Sequence, residues 1–201
     1  VDLDLAVSLL RAVREVRDDL GLVVMSATLQ AEPLVDFLGA RVVHSEGRTH
    51  PVAIEHVLRP PTEPLSTRVE SALASLPPDG DVLVFLPGRR EIDDAMHLPG
   101  ALPLHGGLSS AEQDAVFTRA AHRRVILATN VAESSLTVPG IRFVIDSGLV
   151  RQPRIDTSTG LDRLEVVPIA VDSADQRAGR AGRLGPGHAI RLWTAADHRD
   201  R

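Results

Sequence analysis

Short apolar runs recur along this chain and alternate with segments of helical period. Residues 22–25 (LVVM), 82–86 (VLVFL), 125–128 (VILA) and 141–145 (IRFVI) are rich in Val, Ile and Leu without regular polar alternation. That is the pattern of parallel strands covered on both faces. Between them, residues 2–19 and the adjoining Leu20 place Leu5, Leu9, Val13, Val16 and Leu20 on one stripe, and 31–38 form a weaker helical segment. Residues 67–76 and 110–119 open with TRVE and SAEQ, the pattern of a capping box. Strands alternating with helices predict an α/β sheet. Ligands of such sheets gather beyond the carboxyl ends of the strands, which here read MSAT, FLPGRRE, LHGGLS, ATNVAESSLT and IDSG.

Two segments depart from the alternation. Residues 149–170 contain two extended pieces around DTSTG, a turn-forming cluster, and predict a β-hairpin whose arms carry Arg151, Arg154 and Arg163 outward. SEGRTHPV at 45–52 marks a change in composition and reads as a linker. The expected organisation is therefore 1–44 as the tail of one domain, 45–51 as a linker and 52–201 as a fuller α/β domain.

Composition narrows the chemistry. Four Phe, one Trp and no Tyr leave an aliphatic core, and the absence of cysteine removes disulfides, thiolate zinc sites and cysteine nucleophiles. All 22 basic residues are arginine, so no GxxxxGK[ST] loop, which needs a lysine on the phosphates, occurs in this chain. The net charge of −5 argues against a simple electrostatic nucleic-acid binder, yet residues 151–191 hold seven arginines against five acids. Eight histidines show no metal-ligand spacing, and His105 reads as a loop histidine. There is no GxSxG elbow of a serine hydrolase. No apolar run approaches the roughly 20 residues of a membrane span and no signal peptide is visible, so the expectation is a cytoplasmic protein without a membrane partner.

The stretch QRAGRAGR, 176–183, concentrates the question. Each glycine in a helix costs about 1 kcal/mol relative to alanine, so Gly179 and Gly182 must return something. In a helix, Gln176, Arg180 and Arg183 stand at i, i+4 and i+7 on one face, and the glycines would let another backbone or a phosphate come close. The alternative has Ser173 capping the helix with Gln176 three residues on, and the arginines solvated.

QRAGRAGR resembles motif six of the DEAH-box helicases of superfamily two, in the bacterial HrpB type. Upstream and in order, SAT (26–28) is similar to motif three, VLVFLPGRREI (82–92) to motif four and ATNVAESSLT (128–137) to motif five. GRTHPV resembles the family's inter-domain junction, and HGGLSSAEQDAVF the segment between motifs four and five. The resemblance implies a RecA-like domain with a β-hairpin insertion, preceded by the tail of another RecA-like domain. Arg180 and Arg183 match the arginines that reach the γ-phosphate of ATP across the cleft between two such domains, and Gln176 the glutamine that orders the attacking water. Thr129, Asn130, Ser134 and Thr137 match the motif that touches the RNA backbone and couples it to the nucleotide. The family has threonine where Ser134 stands, and the hydroxyl survives. Ser26 and Thr28 match the motif linking hydrolysis to unwinding, and Gly88 and Arg89 follow the strand of motif four toward RNA phosphates. Without that resemblance, Thr129 to Thr137 read as a Ser/Thr turn or helix cap, and Gly88 and Arg89 as a helix start with a solvated arginine.

In the family, ATP and Mg²⁺ are held mainly by a P-loop and a DEAH box upstream of SAT, so the expectation is a fragment of an ATP-dependent RNA helicase that is inactive alone. Its partners would be RNA and the rest of the helicase chain, with translocation 3′ to 5′. A helicase acting on DNA is a further alternative that the sequence does not separate, because backbone contacts do not report the sugar unless a 2′-OH is read. The competing reading is a non-catalytic RecA-like nucleic-acid-binding or adaptor module.

Overall fold

The computed structural model describes residues 2–17, 19–25, 31–43, 50–118, 120–134, 138–156 and 160–201. The chain divides into two units, Val1–Gly47 and Arg48–Arg201. The proposed linker residues 45–49 lie outside the described residues.

Among its described residues the first unit holds two helices, α1 (Asp2–Arg14) and α2 (Ala31–Leu38). The Arg11 guanidinium lies 4.5 Å over the Phe37 ring, a cation–π contact between them. Two expectations are corrected here. The first helix stops at Arg14 rather than 19, and just beyond it Arg17 turns to pair with Asp19 at 2.7 Å. Its stripe of Leu5, Leu9, Val13 and Val16 is exposed, while Val7 is buried. Residues 22–25 are not a strand, and Met25 is 87% exposed. A parallel strand needs a hydrogen-bonding neighbour, and no other strand occurs among the described residues of this unit.

The second unit is built on six parallel strands: β1 (Val52–His56), β2 (Asp81–Phe85), β3 (Ala101–Leu104), β4 (Val125–Ala128), β5 (Ile141–Asp146) and β8 (Gly187–Arg191). Their order is β1-β8-β5-β2-β4-β3. Alternate residues of each strand feed opposite faces. Val82, Val84, Val125, Leu127 and Ile145 pack beneath α3 (Leu65–Ser75) and α4 (Arg89–Ala95). Leu83, Phe85, Ile126 and Val144 pack beneath α5 (Ser110–Phe117), α6 (Val131–Ser134) and α7 (Val171–Ala178). Each of these buried apolar side chains contributes about 1.5–3 kcal/mol by leaving water. This is the expected α/β sheet, with α8 (Ala195–Arg199) closing the chain.

Local signals are shifted in places. The α5 capping box is Ser109 with Glu112, one residue ahead of SAEQ: the Glu112 N–H donates to Ser109 Oγ and the Ser109 N–H to Glu112 Oε2 at 2.8 Å. α3 begins at Leu65 behind Pro64 and has no side-chain cap, so TRVE lies inside the helix.

The hairpin is present. β6 (Leu149–Ile155) and β7 (Asp162–Pro168) pair antiparallel, with Arg151 opposite Val166 and Arg154 opposite Arg163. Both strands are largely exposed, and 157–159 of the predicted turn lie outside the described residues. Its root is fixed at Gly148, in the left-handed region at φ +71°, where a Cβ would stand 2.5 Å from the Trp193 ring. Arg201 stacks 4.3 Å over that ring and donates to the carbonyls of Gly148 and Ile169.

Candidate active site

The residues singled out in the sequence collect at the carboxyl ends of β2 and β4 and on the segment that follows the hairpin. Gly88 and Arg89 open α4 directly after β2; Gly88 is its N-cap. Gly88 is buried: a Cβ there would lie 3.1 Å from the Arg151 guanidinium carbon and 3.1 Å from Glu91 Oε2. Arg151 reaches back from the hairpin to Glu91 at 3.4 Å, so it covers this loop. Arg89 is exposed and pairs with Asp93 at 3.7 Å. Thr129 and Asn130 follow β4. The Thr129 N–H donates to the Leu104 carbonyl at 3.2 Å, and the Glu133 N–H to the Asn130 carbonyl at 2.9 Å. Thr129 is half-buried and Asn130 exposed. Ser134 ends α6. Ser26, Thr28 and Thr137 lie outside the described residues. His105 accepts from the Gly107 N–H at 3.1 Å, which accounts for it as a turn residue.

QRAGRAGR is not one continuous α-helix. α7 ends at Ala178, and Gly179–Gly182 form a 3₁₀ turn. The tighter turn follows from close packing. The His50 N–H donates to the Gly182 carbonyl at 2.9 Å, and a Cβ on Gly182 would stand 2.5 Å from the His50 carbonyl oxygen. Gly182 therefore serves the approach of another backbone, whereas Gly179 faces open space. Gly182→Ala is expected to destabilise this unit by about 1–3 kcal/mol, because a backbone carbonyl cannot yield as a flexible side chain can. Urea unfolding followed by Trp193 fluorescence checks this. The proposed Ser173 cap is also corrected. Ala170 is the N-cap, and Ser173 Oγ instead donates to Glu133 Oε1 at 2.5 Å.

Arg183 is exposed and Gln176 half-buried. Arg180 is only 7% exposed, and its Nη2 donates to the Glu133 backbone carbonyl. Burial, with Arg183 nearby, lowers Arg180 to about 10, while Glu133 acts in the opposite direction. It is still a cation at neutral pH.

The residue at the centre of the site is one that the motif reading passed over. Arg177 is 1% exposed. Its Nε donates to Glu133 Oε2 at 2.9 Å, and its Nη1 to Asp146 Oδ1 at 3.0 Å and to the Leu149 carbonyl at 3.3 Å. Its guanidinium lies 4.8 Å from the Phe85 ring centre. Burial raises the Asp146 carboxyl above its ordinary value, and the Arg177 charge opposes that rise. Periodicity could have found it: Ala174, Arg177, Ala178 and Ala181 stand at i, i+3, i+4 and i+7, the inward stripe. Arg177 thus joins the arginine-bearing segment to α6, to the end of β5 and to the first residue of the hairpin.

A parallel sheet with polar loops at its carboxyl ends, ordered as motifs four, five and six, defines a helicase lobe. The chain belongs to the helicase conserved C-terminal domain family, whose model matches residues 67–185. It is similar to the probable ATP-dependent RNA helicase DHX35 homolog of Caenorhabditis elegans, 36% identical over 222 residues that cover 96% of this chain and 30% of that protein. It is also similar to the ATP-dependent RNA helicase HrpA of Escherichia coli strain K12, 36% identical across 100% of this chain and 17% of that protein. The crystal structure of the Escherichia coli DEAH/RHA helicase HrpB superposes with a TM-score of 0.87 at 39% identity, covering 98% of this chain and 27% of that one. The fold is RecA-like, and the resemblance to DEAH-box helicases of the HrpB type holds. The chain spans about a third or less of the length of these curated relatives. No helix among the described residues is long and apolar enough to cross a membrane.

Proposed function

We propose that this chain is the part of an ATP-dependent RNA helicase that supplies arginines to the nucleotide and strand-end loops to the RNA backbone. The observation that carries the reading is the 3₁₀ turn: Arg180 lies within it and Arg183 caps its end, Arg183 exposed, with open space at Gly179. That arrangement suits an anion carried by another part of the polypeptide. The residues present fit ATP at its γ-phosphate end only. Gln176, Arg180 and Arg183 would hold that end, while the absence of lysine leaves the phosphate loop to be supplied elsewhere. The family resemblance assigns the Mg²⁺ ligands, like the phosphate loop, to another part of the polypeptide.

A bound ATP would supply the scissile phosphoanhydride. The work of this chain would be electrostatic: the exposed Arg183, and Arg180 once it turns from the Glu133 carbonyl, directed where charge develops on the transferred phosphoryl, and a glutamine amide that orients a water. Thr129, Asn130, Ser134 and Thr137 would meet phosphate oxygens, which position a strand without reading its bases. Ser26 and Thr28 would link hydrolysis to strand separation, and Gly88 and Arg89 would add contacts beyond β2, with Arg151 meeting the same phosphates. The hairpin would guide or separate strands, and translocation would run 3′ to 5′.

The inward bond of Arg180 favours a second reading, a non-catalytic nucleic-acid-binding or adaptor module. Steady-state ATPase assays separate the two. The helicase reading expects RNA-stimulated hydrolysis by the full-length protein and none above background from the 201-residue chain. Robust turnover by the chain alone, or none by the full-length protein with either RNA or DNA, contradicts it. Comparing RNA with DNA stimulation settles the nucleic acid.

A further inference from the structure

We infer that Glu133 is a positioning residue that holds Arg180 in an inward rest position and ties its release to the loop that begins at Thr129. Three donors from the arginine-bearing segment converge on it. Ser173 Oγ reaches Glu133 Oε1 at 2.5 Å, Arg177 Nε reaches Oε2 at 2.9 Å, and Arg180 Nη2 reaches the backbone carbonyl. Ser173 and Arg177 lie one turn apart on α7, and Arg180 follows in the 3₁₀ turn, so that all three are directed at α6. Both carboxylate oxygens are engaged, and they fix where the carbonyl of the same residue stands.

The other end of the device is the strand-end loop. α6 is four residues long and starts two residues after Thr129. The Glu133 N–H is bonded to the Asn130 carbonyl at 2.9 Å, and the Ala132 N–H to the Thr129 carbonyl at 3.2 Å. A segment this short has no independent rigidity, so a ligand that pulls on Thr129 and Asn130 shifts Glu133 with them. The side-chain anchor to Ser173 and Arg177 resists that shift, and the carbonyl that receives Arg180 moves when it yields. With the backbone loop empty, Arg180 stays turned toward α6. With it occupied, Arg180 is released to meet an anion beside Arg183.

This inference rests on the assignment of Arg180 to the nucleotide and of Thr129 and Asn130 to the nucleic-acid backbone. Two variants of the full-length protein test it: Ser173→Ala, which removes one anchor without unpairing a charge, and Glu133→Gln. The first readout is phenylglyoxal modification of Arg180, quantified by mass spectrometry against exposed Arg199. In the absence of RNA, Arg180 should react about fivefold faster in either variant than in wild type, and poly(U) should accelerate it in wild type, as a shift between held and released populations requires. The second readout is RNA-free ATPase, which should rise about threefold in both variants while the ratio of poly(U)-stimulated to RNA-free rate falls. A merely structural role lowers both rates together with the melting temperature. Equal protection of Arg180 in wild type and both variants overturns the positioning role, whatever the ATPase shows. If instead the footprint changes as expected but poly(U) never stimulates wild type, the helicase reading fails and the positioning role stands.

Discussion

Replacing Arg180 or Arg183 with alanine in the full-length protein is expected to lower RNA-stimulated kcat by about 10³-fold or more, with the KM for ATP changed far less. Arginines that stabilise charge on a transferred phosphoryl are worth about 10³ to 10⁵ in rate, roughly 4–7 kcal/mol. No solvated surface role approaches that magnitude. The two positions should not behave identically before chemistry. Arg183 is exposed, whereas Arg180 is buried against the Glu133 carbonyl. Lysine at Arg183 keeps the charge but loses the planar fork, so it should recover only part of the loss. Steady-state kinetics at saturating RNA check each substitution. A fall of less than about tenfold in both would place these side chains outside the chemical step.

Arg177→Met is expected to cost about 3–5 kcal/mol of stability, because it leaves Asp146 as a buried carboxylate without its cation. The volume is nearly kept, so the loss reports charge rather than a cavity. Burial already holds the Asp146 carboxyl above its ordinary value, and removing Arg177 raises it further. An acid raised in the folded state takes up a proton there more readily than in the unfolded chain. Stability from that proton is therefore present at low pH and lost as pH rises through the folded-state value. The deficit of the variant should be full near pH 8 and shrink toward the ordinary range of an aspartate. Urea unfolding of the 201-residue chain at several pH values, followed by Trp193 fluorescence, measures both effects. A deficit independent of pH would mean that Asp146 is not the group left exposed to the change.

The sheet was legible wherever a strand is covered on both faces. Residues 82–86, 125–128 and 141–145 carry uninterrupted apolar runs because β2, β4 and β5 are interior, and the structure has strands there. β1 escaped notice, and of β3 only the carboxyl end at LHGGLS was read, because both are edges: β1 is half polar with Glu55 and His56, and β3 contains Pro103, which an edge tolerates. β8 is interior but has His188 and Arg191 within only five residues. The run at 22–25 misled for the opposite reason, since apolar character without a neighbouring strand does not make a ladder. In the site, motif order identified the elements but not their local geometry. The tight approach of His50 to Gly182 turns the expected helix into a 3₁₀ segment, a tertiary effect no local pattern encodes. Glu133 carries no signature that marks it alone as a junction, because its three donors come from residues 40 to 47 positions away.

The central claim is that Arg180 and Arg183 bind the transition state of phosphoryl transfer rather than the nucleotide in general. The most direct test is the affinity of the full-length protein, with RNA, for ADP and for the transition-state mimic ADP–aluminium fluoride, in wild type and in Arg183→Ala. The account predicts that the substitution weakens the mimic about 10³-fold while ADP affinity changes by less than about threefold. Equal weakening of both, or no weakening of either, would contradict it.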